Sequence, residues 1–518
     1  MRRGRWLAGA VLAIVVAGSA AALAGSQATP VASTGLTAQR LPITLTVAPD
    51  GRTLSLDIRW VASCGGVVRT IRSAVTTIAA GGEFAWEGTH INALDDGDED
   101  RQRLRLSGRR ESDGALTGAW QAERDAFNGQ GRTVDETCRT GDVAFRVTRG
   151  GSTRQPPPQR GAGGQLVIGL EDQPELVATG DGRTWVLGTS PQVSGDRPRP
   201  ATVTAIDQRT GDAAAPVQLK GSSFGRFAAG EGAAWALTTY PQVRLLRIDA
   251  RTQRLVRGPR LRTGGGADGL AAGAGGVWVL AGDRILRADP RNGRLVRSIR
   301  VPHDRRVRSA RRCQITTHTP LIAVDRRDVW VMSRTYLSCR SSSSPRNFAL
   351  ARNGPYYSLL RIDARANRVG RSLVLTREYA ALAVRRGRVW GIGCLRVPTR
   401  EGEFCRRAAV HRIDLRNGRP AVVVALRSSA SEPTGVSGLA SGLGVGPGAI
   451  WVVELDTSLP GSARRSQRPK AFLRRIDAET RRLTTARTLP RSPADLAVDD
   501  RGAWVLDNVE RTLIRVQP

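Results

Sequence analysis

Leu270-Ala271-Ala272-Gly273-Ala274-Gly275-Gly276-Val277-Trp278-Val279-Leu280 leads into Leu286-Arg287-Ala288-Asp289-Pro290-Arg291-Asn292-Gly293 and then Leu295-Val296-Arg297-Ser298-Ile299. Short apolar or alternating runs are separated here by glycine- and asparagine-rich turns. That is the pattern of four antiparallel strands, a to d, joined by tight hairpins. Such a sheet is apolar on both faces and cannot bury both alone, so copies of it must stack.

Copies are present. Trp185, Trp235, Trp278, Trp330, Trp390, Trp451 and Trp504 recur at intervals of 50, 43, 52, 60, 61 and 53 residues, each beside small or β-branched neighbours. Downstream of five of them lies a second signature: Arg247-Ile248-Asp249, Arg287-Ala288-Asp289, Arg361-Ile362-Asp363, Arg412-Ile413-Asp414 and Arg475-Ile476-Asp477. The tryptophans fit strand b and an inter-blade core. The aspartates fit the end of strand c, where a carboxylate can accept from backbone N–H groups of the next turn. Seven copies predict a seven-bladed β-propeller over 165–518. The last copy ends at strand c. Leu166-Val167-Ile168-Gly169-Leu170 stands where a strand d is needed, so segment 165–170 is expected to close the ring and remove the open edge.

These Gly-x-Val-Trp-Val and Leu-x-Arg-Ile-Asp-x-x-Asn-Gly patterns resemble the virginiamycin B lyase-like and NHL-like family of exported bacterial propellers over residues 165–518. The resemblance implies a propeller with ligands bound at one face. The namesake chemistry implies a histidine base and acidic metal ligands near the ring mouth. The chain has four histidines, His90, His303, His318 and His411, and Asp304, Asp325, Glu401, Glu403, Glu454 and Asp456 are the acids near the mouth. They do not align with the family's catalytic set, so no catalytic residue carries over.

Ahead of the repeats, Pro156-Pro157-Pro158 and its glycine-rich flanks mark a linker over 149–164. Residues 35–148 read as a small β-barrel or sandwich. Alternation in Ile43-Thr44-Leu45-Thr46-Val47 and Leu54-Ser55-Leu56-Asp57-Ile58 flanks a Pro49-Asp50-Gly51 turn. The whole chain is therefore expected to be all-β. Met1-Arg2-Arg3-Gly4-Arg5, the apolar run 7–24 and Ala22-Leu23-Ala24 have the form of a secretory signal peptide over 1–24. A secreted, extracytoplasmic protein is expected, with membrane contact only if that segment is uncleaved. Six cysteines suit disulfides in such a compartment: Cys64, Cys138, Cys313, Cys339, Cys394 and Cys405. Six allow 15 connectivities. Cys64 and Cys138 are the two in the first domain and are expected to pair. Asp95-Asp96-Gly97-Asp98-Glu99-Asp100 lacks the spacing of an EF-hand loop and reads as a solvated acidic loop.

Net charge is +33, and of 79 basic residues only Lys220 and Lys470 are lysine, a bias that fits actinobacterial coding. Residues 35–150 hold 15 arginines against 16 acids, so the surplus lies in the propeller. Spacings longer than the shortest copy fall in b–c and d–a connections, which emerge on one face. That face carries Arg305, Arg306, Arg308, Arg311 and Arg312 before blade 4, Tyr336, Arg340, Tyr356 and Tyr357 within it, and Arg396, Arg406 and Arg407 in blade 5. Clustered arginines take carboxylates or phosphates in forked geometry. The expectation is a monomeric, non-enzymatic binding or scaffold protein whose partner is an extracellular anionic polymer, glycan or protein, with no cofactor and no metal. A metal-dependent lyase or hydrolase is the alternative. Nucleic acid is disfavoured by the export signal and by the lack of any reader motif.

Overall fold

The computed structural model describes residues 30–518 except 51–52, 62–66, 80, 94–98, 128–133, 151–164, 171, 190–200, 220–222, 241, 262, 264–266, 308–312, 326, 340–354, 400–401, 430–439, 456–470, 490–494 and 508–510. The signal segment 1–24, most of the linker, the acidic residues Asp95 to Asp98 and Cys64 lie outside the described residues. Strands and turns make up everything described.

Seven four-stranded antiparallel sheets form the blades: 173–219, 223–260, 269–300, 313–375, 379–429, 440–489, and a seventh that joins 495–516 to the early strand 166–169. Strand a of each blade packs against strand a of the next, and that of blade 7 packs against that of blade 1, so the ring is complete. Each tryptophan lies on strand b. All seven are at most 5% exposed and pack into cores between or within blades.

The a–b hairpins show why the repeat carries X-Gly before its tryptophan. Asp181-Gly182, Glu231-Gly232, Ala274-Gly275 and Arg386-Gly387 all have positive φ at both residues, between 49° and 77°. This is the two-residue turn whose twist matches paired strands. After strand c, the Asp249, Asp363 and Asp477 carboxylates accept the N–H groups two and three residues on, at 2.7–3.1 Å. Those N–H groups, led by Thr252, Ala366 and Thr480, hold the three carboxyls below the usual range.

The first region is one antiparallel sheet of nine strands. These are β1 (Val31–Thr37), β2 (Pro42–Val47), β3 (Thr53–Val61), β4 (Val67–Thr77), β5 (Glu83–Ala93), β6 (Glu99–Arg110), β7 (Leu116–Phe127), β8 (Val134–Arg139) and β9 (Val143–Arg149). Their order is β4-β3-β2-β1-β9-β7-β6-β5, with β8 beside the far half of β7. Strands β3 and β7 are four ladder steps apart, roughly 19 Å in a flat sheet. The Trp60 and Trp120 rings nevertheless sit 6.4 Å apart, so the sheet curls into a half-barrel around its apolar face. The barrel-like expectation is met in this open form, with β4 and β5 as the ends of the order rather than a closing pair. Opening strand β1 begins at Val31, ahead of residue 35, because Val31 to Leu36 pair with Val47 to Pro42 of β2.

Closing strand β10 (Leu166–Gly169) pairs antiparallel with the last strand of the chain, Thr512–Val516. Its Gly169 also meets the first sheet, donating its N–H to the Gln39 carbonyl at 2.7 Å. Cys313 and Cys339 form a disulfide, with Cα atoms 4.2 Å apart. Cys138, Cys394 and Cys405 stand on strands, and their side chains lie outside the described residues, as do the pairings expected of them.

Candidate functional site

A propeller has two faces, and the contacts between blades distinguish them here. On the face bearing the a–b and c–d turns, hydrogen bonds join blade 1 to 2, blade 2 to 3 and blade 4 to 5. The Gly232 N–H donates to Asp181 Oδ2 at 2.7 Å, Gly275 N–H to Glu231 Oε1 at 2.8 Å, and Gly387 N–H to Asp325 Oδ2 at 2.6 Å. Every such contact joins one a–b turn to the a–b turn of the following blade.

The repeat arginines complete this stitching. In six blades the arginine of strand c pairs directly with the tryptophan of strand b: Trp235 with Arg247, Trp278 with Arg287, Trp330 with Arg361, Trp390 with Arg412, Trp451 with Arg475 and Trp504 with Arg515. Arg247, Arg287 and Arg515 lie 5.3–5.8 Å from the ring centroids of their tryptophans, within cation–π range. Each then donates to the carbonyl that follows the capping aspartate position of the next blade. Arg247 Nε reaches Pro290 at 3.0 Å, Arg287 Nη1 reaches Ala364 at 2.8 Å, and Arg515 reaches Gln208 across the ring closure. These cations hold blades together. Part of the propeller's surplus positive charge therefore belongs to the scaffold.

The opposite face is built differently, and blade 4 dominates its described part. Strands a and b of that blade, Cys313–Val324 and Asp328–Cys339, run 12 residues each, against five to eight in blades 1 to 3. The extra length is a paired hairpin, not a loop, with Cys313 opposite Cys339 at its end. Val307, Leu337 and Tyr356 form a small apolar cluster against the disulfide.

The residues named from sequence separate by role. Arg306 is a clamp. Its Nε and Nη2 donate to Asp304 Oδ1 and Oδ2 at 2.9 and 3.0 Å, and Nη2 also reaches the Tyr357 carbonyl at 3.0 Å. Its guanidinium lies 4.6 Å from the Tyr356 ring centroid. Asp304 is buried and also accepts from Ser358 Oγ at 2.5 Å. Burial works against its charge, but the Arg306 and Ser358 hydrogen bonds win and hold its carboxyl below the ordinary range. Tyr356 and Tyr357 are buried at the start of strand c, which corrects their reading as surface aromatics. The Tyr357 hydroxyl donates to Glu378 Oε2 at 3.0 Å, and burial together with Glu378 raises its pKa.

Arg305 and Tyr336 remain on the surface. Arg305 is exposed in the turn before blade 4, and Tyr336 is 38% exposed on the outer side of the hairpin. The Arg334 guanidinium lies 4.8 Å from the Tyr336 ring, and His318 meets the same ring edge-on at 5.9 Å. Arg334 is oriented by Glu378 Oε1 at 3.1 Å. Glu378 carries no sequence signal of this role, because it reaches the hairpin only once blades 4 and 5 are packed. Arg308, Arg311, Arg312 and Arg340 lie outside the described residues. Arg396, Arg406 and Arg407 stand on the paired strands Arg388–Thr399 and Gly402–Ile413 of blade 5, with side chains outside the described set.

Of the histidines and acids weighed for lyase chemistry, those whose side chains are described are dispersed, and His90, Glu401, Glu403 and Asp456 lie outside that set. His411 is buried between blades beside Tyr379, Glu454 is buried against Arg474 at 2.5 Å, and Asp325 is on the stitched face. His303 Nδ1 contacts Thr317 Oγ1 at 2.9 Å. Among the described residues no three His, Cys, Asp or Glu side chains converge as a metal site.

No protein-family model and no curated protein sequence matches the chain. Two of the many solved structures that are similar at low identity illustrate the likeness. One is the computationally designed Ika8 protein: 11% identity, TM-score 0.40, 67% of this chain and 97% of that one covered. The other is BamB from Moraxella catarrhalis: 13% identity, TM-score 0.37, 84% of this chain and 96% of that one covered.

Proposed function

We propose that the chain is an exported, non-enzymatic binding protein whose blade 4 hairpin engages an anionic extracellular polymer, with an acidic glycan as the preferred class. One observation carries this reading. A disulfide-clamped hairpin presents Tyr336 flanked by Arg334 and His318, with Arg305 exposed in the turn before the blade, on the face opposite the a–b turns. An exposed aromatic face can stack on a sugar ring while arginines take its carboxylate or sulfate. Rigid presentation lowers the ordering cost of binding. Export is supported by the basic and apolar start of the sequence and by the Cys313–Cys339 bond, since disulfides persist in oxidising compartments.

The test is retention on immobilised acidic polysaccharides at low ionic strength and at about ten times that strength, where the Debye length shrinks about threefold. Retention should fall with salt. Arg305→Glu and Tyr336→Ala should each weaken it about tenfold, close to 1.4 kcal/mol, with the melting temperature unchanged. Salt-insensitive retention, or full retention by both variants, refutes the proposal. Arg306 is unsuitable as a probe, because removing it leaves the buried Asp304 carboxylate without its ion-pair partner.

A further inference from the structure

The ring closure holds a second feature, apart from the blade 4 face. Between blade 1, closing strand β10 and the β1–β2 turn of the first sheet lies a pocket of about 280 Å³. Its floor is one face of blade 1, where Val186 pairs with Thr204 and Gly188 with Thr202. Gly169 and Leu170 supply one side, and Leu36 and Arg40 of the first sheet supply the cover. Ala213, Ala214, Ala215 and Pro216 supply the remaining edge.

Three observations mark this space as a site. The cleft offers about 280 Å³, nearly twice the volume of an apolar cavity that takes benzene, about 150 Å³. Its boundary is fixed at several points. The Gly169 N–H is bonded to the Gln39 carbonyl, buried Arg40 is ion-paired with Asp212, and Thr202 Oγ1 donates to Asp172. Arg40 itself has φ 64°, a conformation that side-chain-bearing residues seldom adopt and that positions the cover. The rest of the lining is mainly apolar, with Leu36, Leu170 and Val186 around a wall of glycines and alanines. The Asp172 carboxylate is an anionic acceptor at its wall, with lone pairs beyond the one that Thr202 uses. Junctions between structural units are preferred places for ligand pockets of this kind.

We propose that this pocket binds a compact, mainly apolar molecule of about ten heavy atoms whose hydrogen-bond-donating head, such as an ammonium, pairs with Asp172.

The full-length oxidised chain tests this with benzylamine, and with methyl benzoate as a probe of similar size that lacks a donor. Saturation-transfer NMR and calorimetry should show benzylamine binding at least tenfold more tightly than methyl benzoate. Asp172→Asn should lower benzylamine affinity at least fivefold. Ala214→Phe and Thr204→Leu fill the space from different walls, and either one that folds should abolish binding. Arg305→Glu, on the other site, should leave it unchanged. No benzylamine binding to the unaltered chain, or undiminished binding in the folded filled variants, overturns the site. An unchanged probe preference in Asp172→Asn overturns the assignment of the donor head to Asp172.

Discussion

His411 and Asp495 are ionisable side chains whose neutral forms burial favours, and their effects on stability have opposite sign. Among the described residues neither ring nitrogen of His411 has a hydrogen-bond partner, nor has the hydroxyl of its neighbour Tyr379. Burial lowers the imidazole from 6.5 to about 4. Asp495 lies on strand a of blade 7 and accepts from the N–H groups of Val177 and Leu496, but burial outweighs them and raises its carboxyl from 3.8 to about 6. A depressed histidine contributes stability that is present above pH 6.5 and lost as pH falls through about 4. A raised carboxyl contributes stability that is present below pH 3.8 and lost as pH rises through about 6. Each swing is about 3 kcal/mol. Between pH 4 and 6 the two slopes oppose each other in the native chain. His411→Phe should therefore gain stability, relative to the parent, as pH falls across that window, whereas Asp495→Asn should lose it. Chemical denaturation at pH 4, 5 and 6 reads both differences. Profiles parallel to the parent would show that neither group is held neutral.

At the level of single elements, the strands of the repeat were legible because the residues that mark them do packing and turn work in every copy. Tryptophan on strand b and aspartate after strand c leave a periodic trace. The blade 4 hairpin was legible only as excess length, because spacing counts residues and is blind to pairing. The alternation was nonetheless there: Thr335 and Leu337 point inward, Tyr336 and Ser338 outward. Arg306 read as a surface cation, although its partner Asp304 is two residues upstream, because burial of that pair depends on strand c of the same blade. Tyr356 and Tyr357 were misread for a related reason, since aromatic residues in a polar stretch look exposed until the strand they open is known. The disulfide is the device that turns this length into a rigid projection. It joins residues 26 apart, a closure worth about 3–4 kcal/mol in the chain-entropy model. The double variant Cys313→Ser/Cys339→Ser should lose about that much, or less if the free hairpin keeps its pairing. Hydrogen exchange should localise the lost protection to 313–318 and 334–339 while the Trp330 region stays protected. Uniform loss over all seven blades would mean that the bond secures the ring rather than the hairpin.

For the whole molecule, one short strand performs two tasks. Strand β10 completes blade 7 through its ladder with Thr512–Val516, burying Ile168 in the seam with blade 1. It also carries Gly169, against which Leu41 of the first sheet packs so closely that a Cβ there would collide with the leucine side chain. The need for a closing strand was visible in the sequence, because the last repeat lacked one. The docking was not, since it depends on the curl of the first sheet, and alternation reveals the faces of strands without revealing curvature. The two tasks can be separated. Gly169→Leu keeps the backbone that the ladder uses but drives a side chain into Leu41. It should release the first sheet, breaking the Gln39–Gly169 bond and the Arg40–Asp212 pair, while the propeller stays closed. A larger radius of gyration in solution scattering, faster proteolysis between the two regions and a propeller melting temperature within a few degrees of the parent are expected. Ile168→Asp instead places an unpaired charge in the blade 7–blade 1 seam, where uncompensated burial costs several kcal/mol. It should lower that melting temperature steeply. Equal losses from the two substitutions would show that docking and ring closure form one cooperative unit. The first sheet would then be part of the propeller's closure and not a separable partner seated on it.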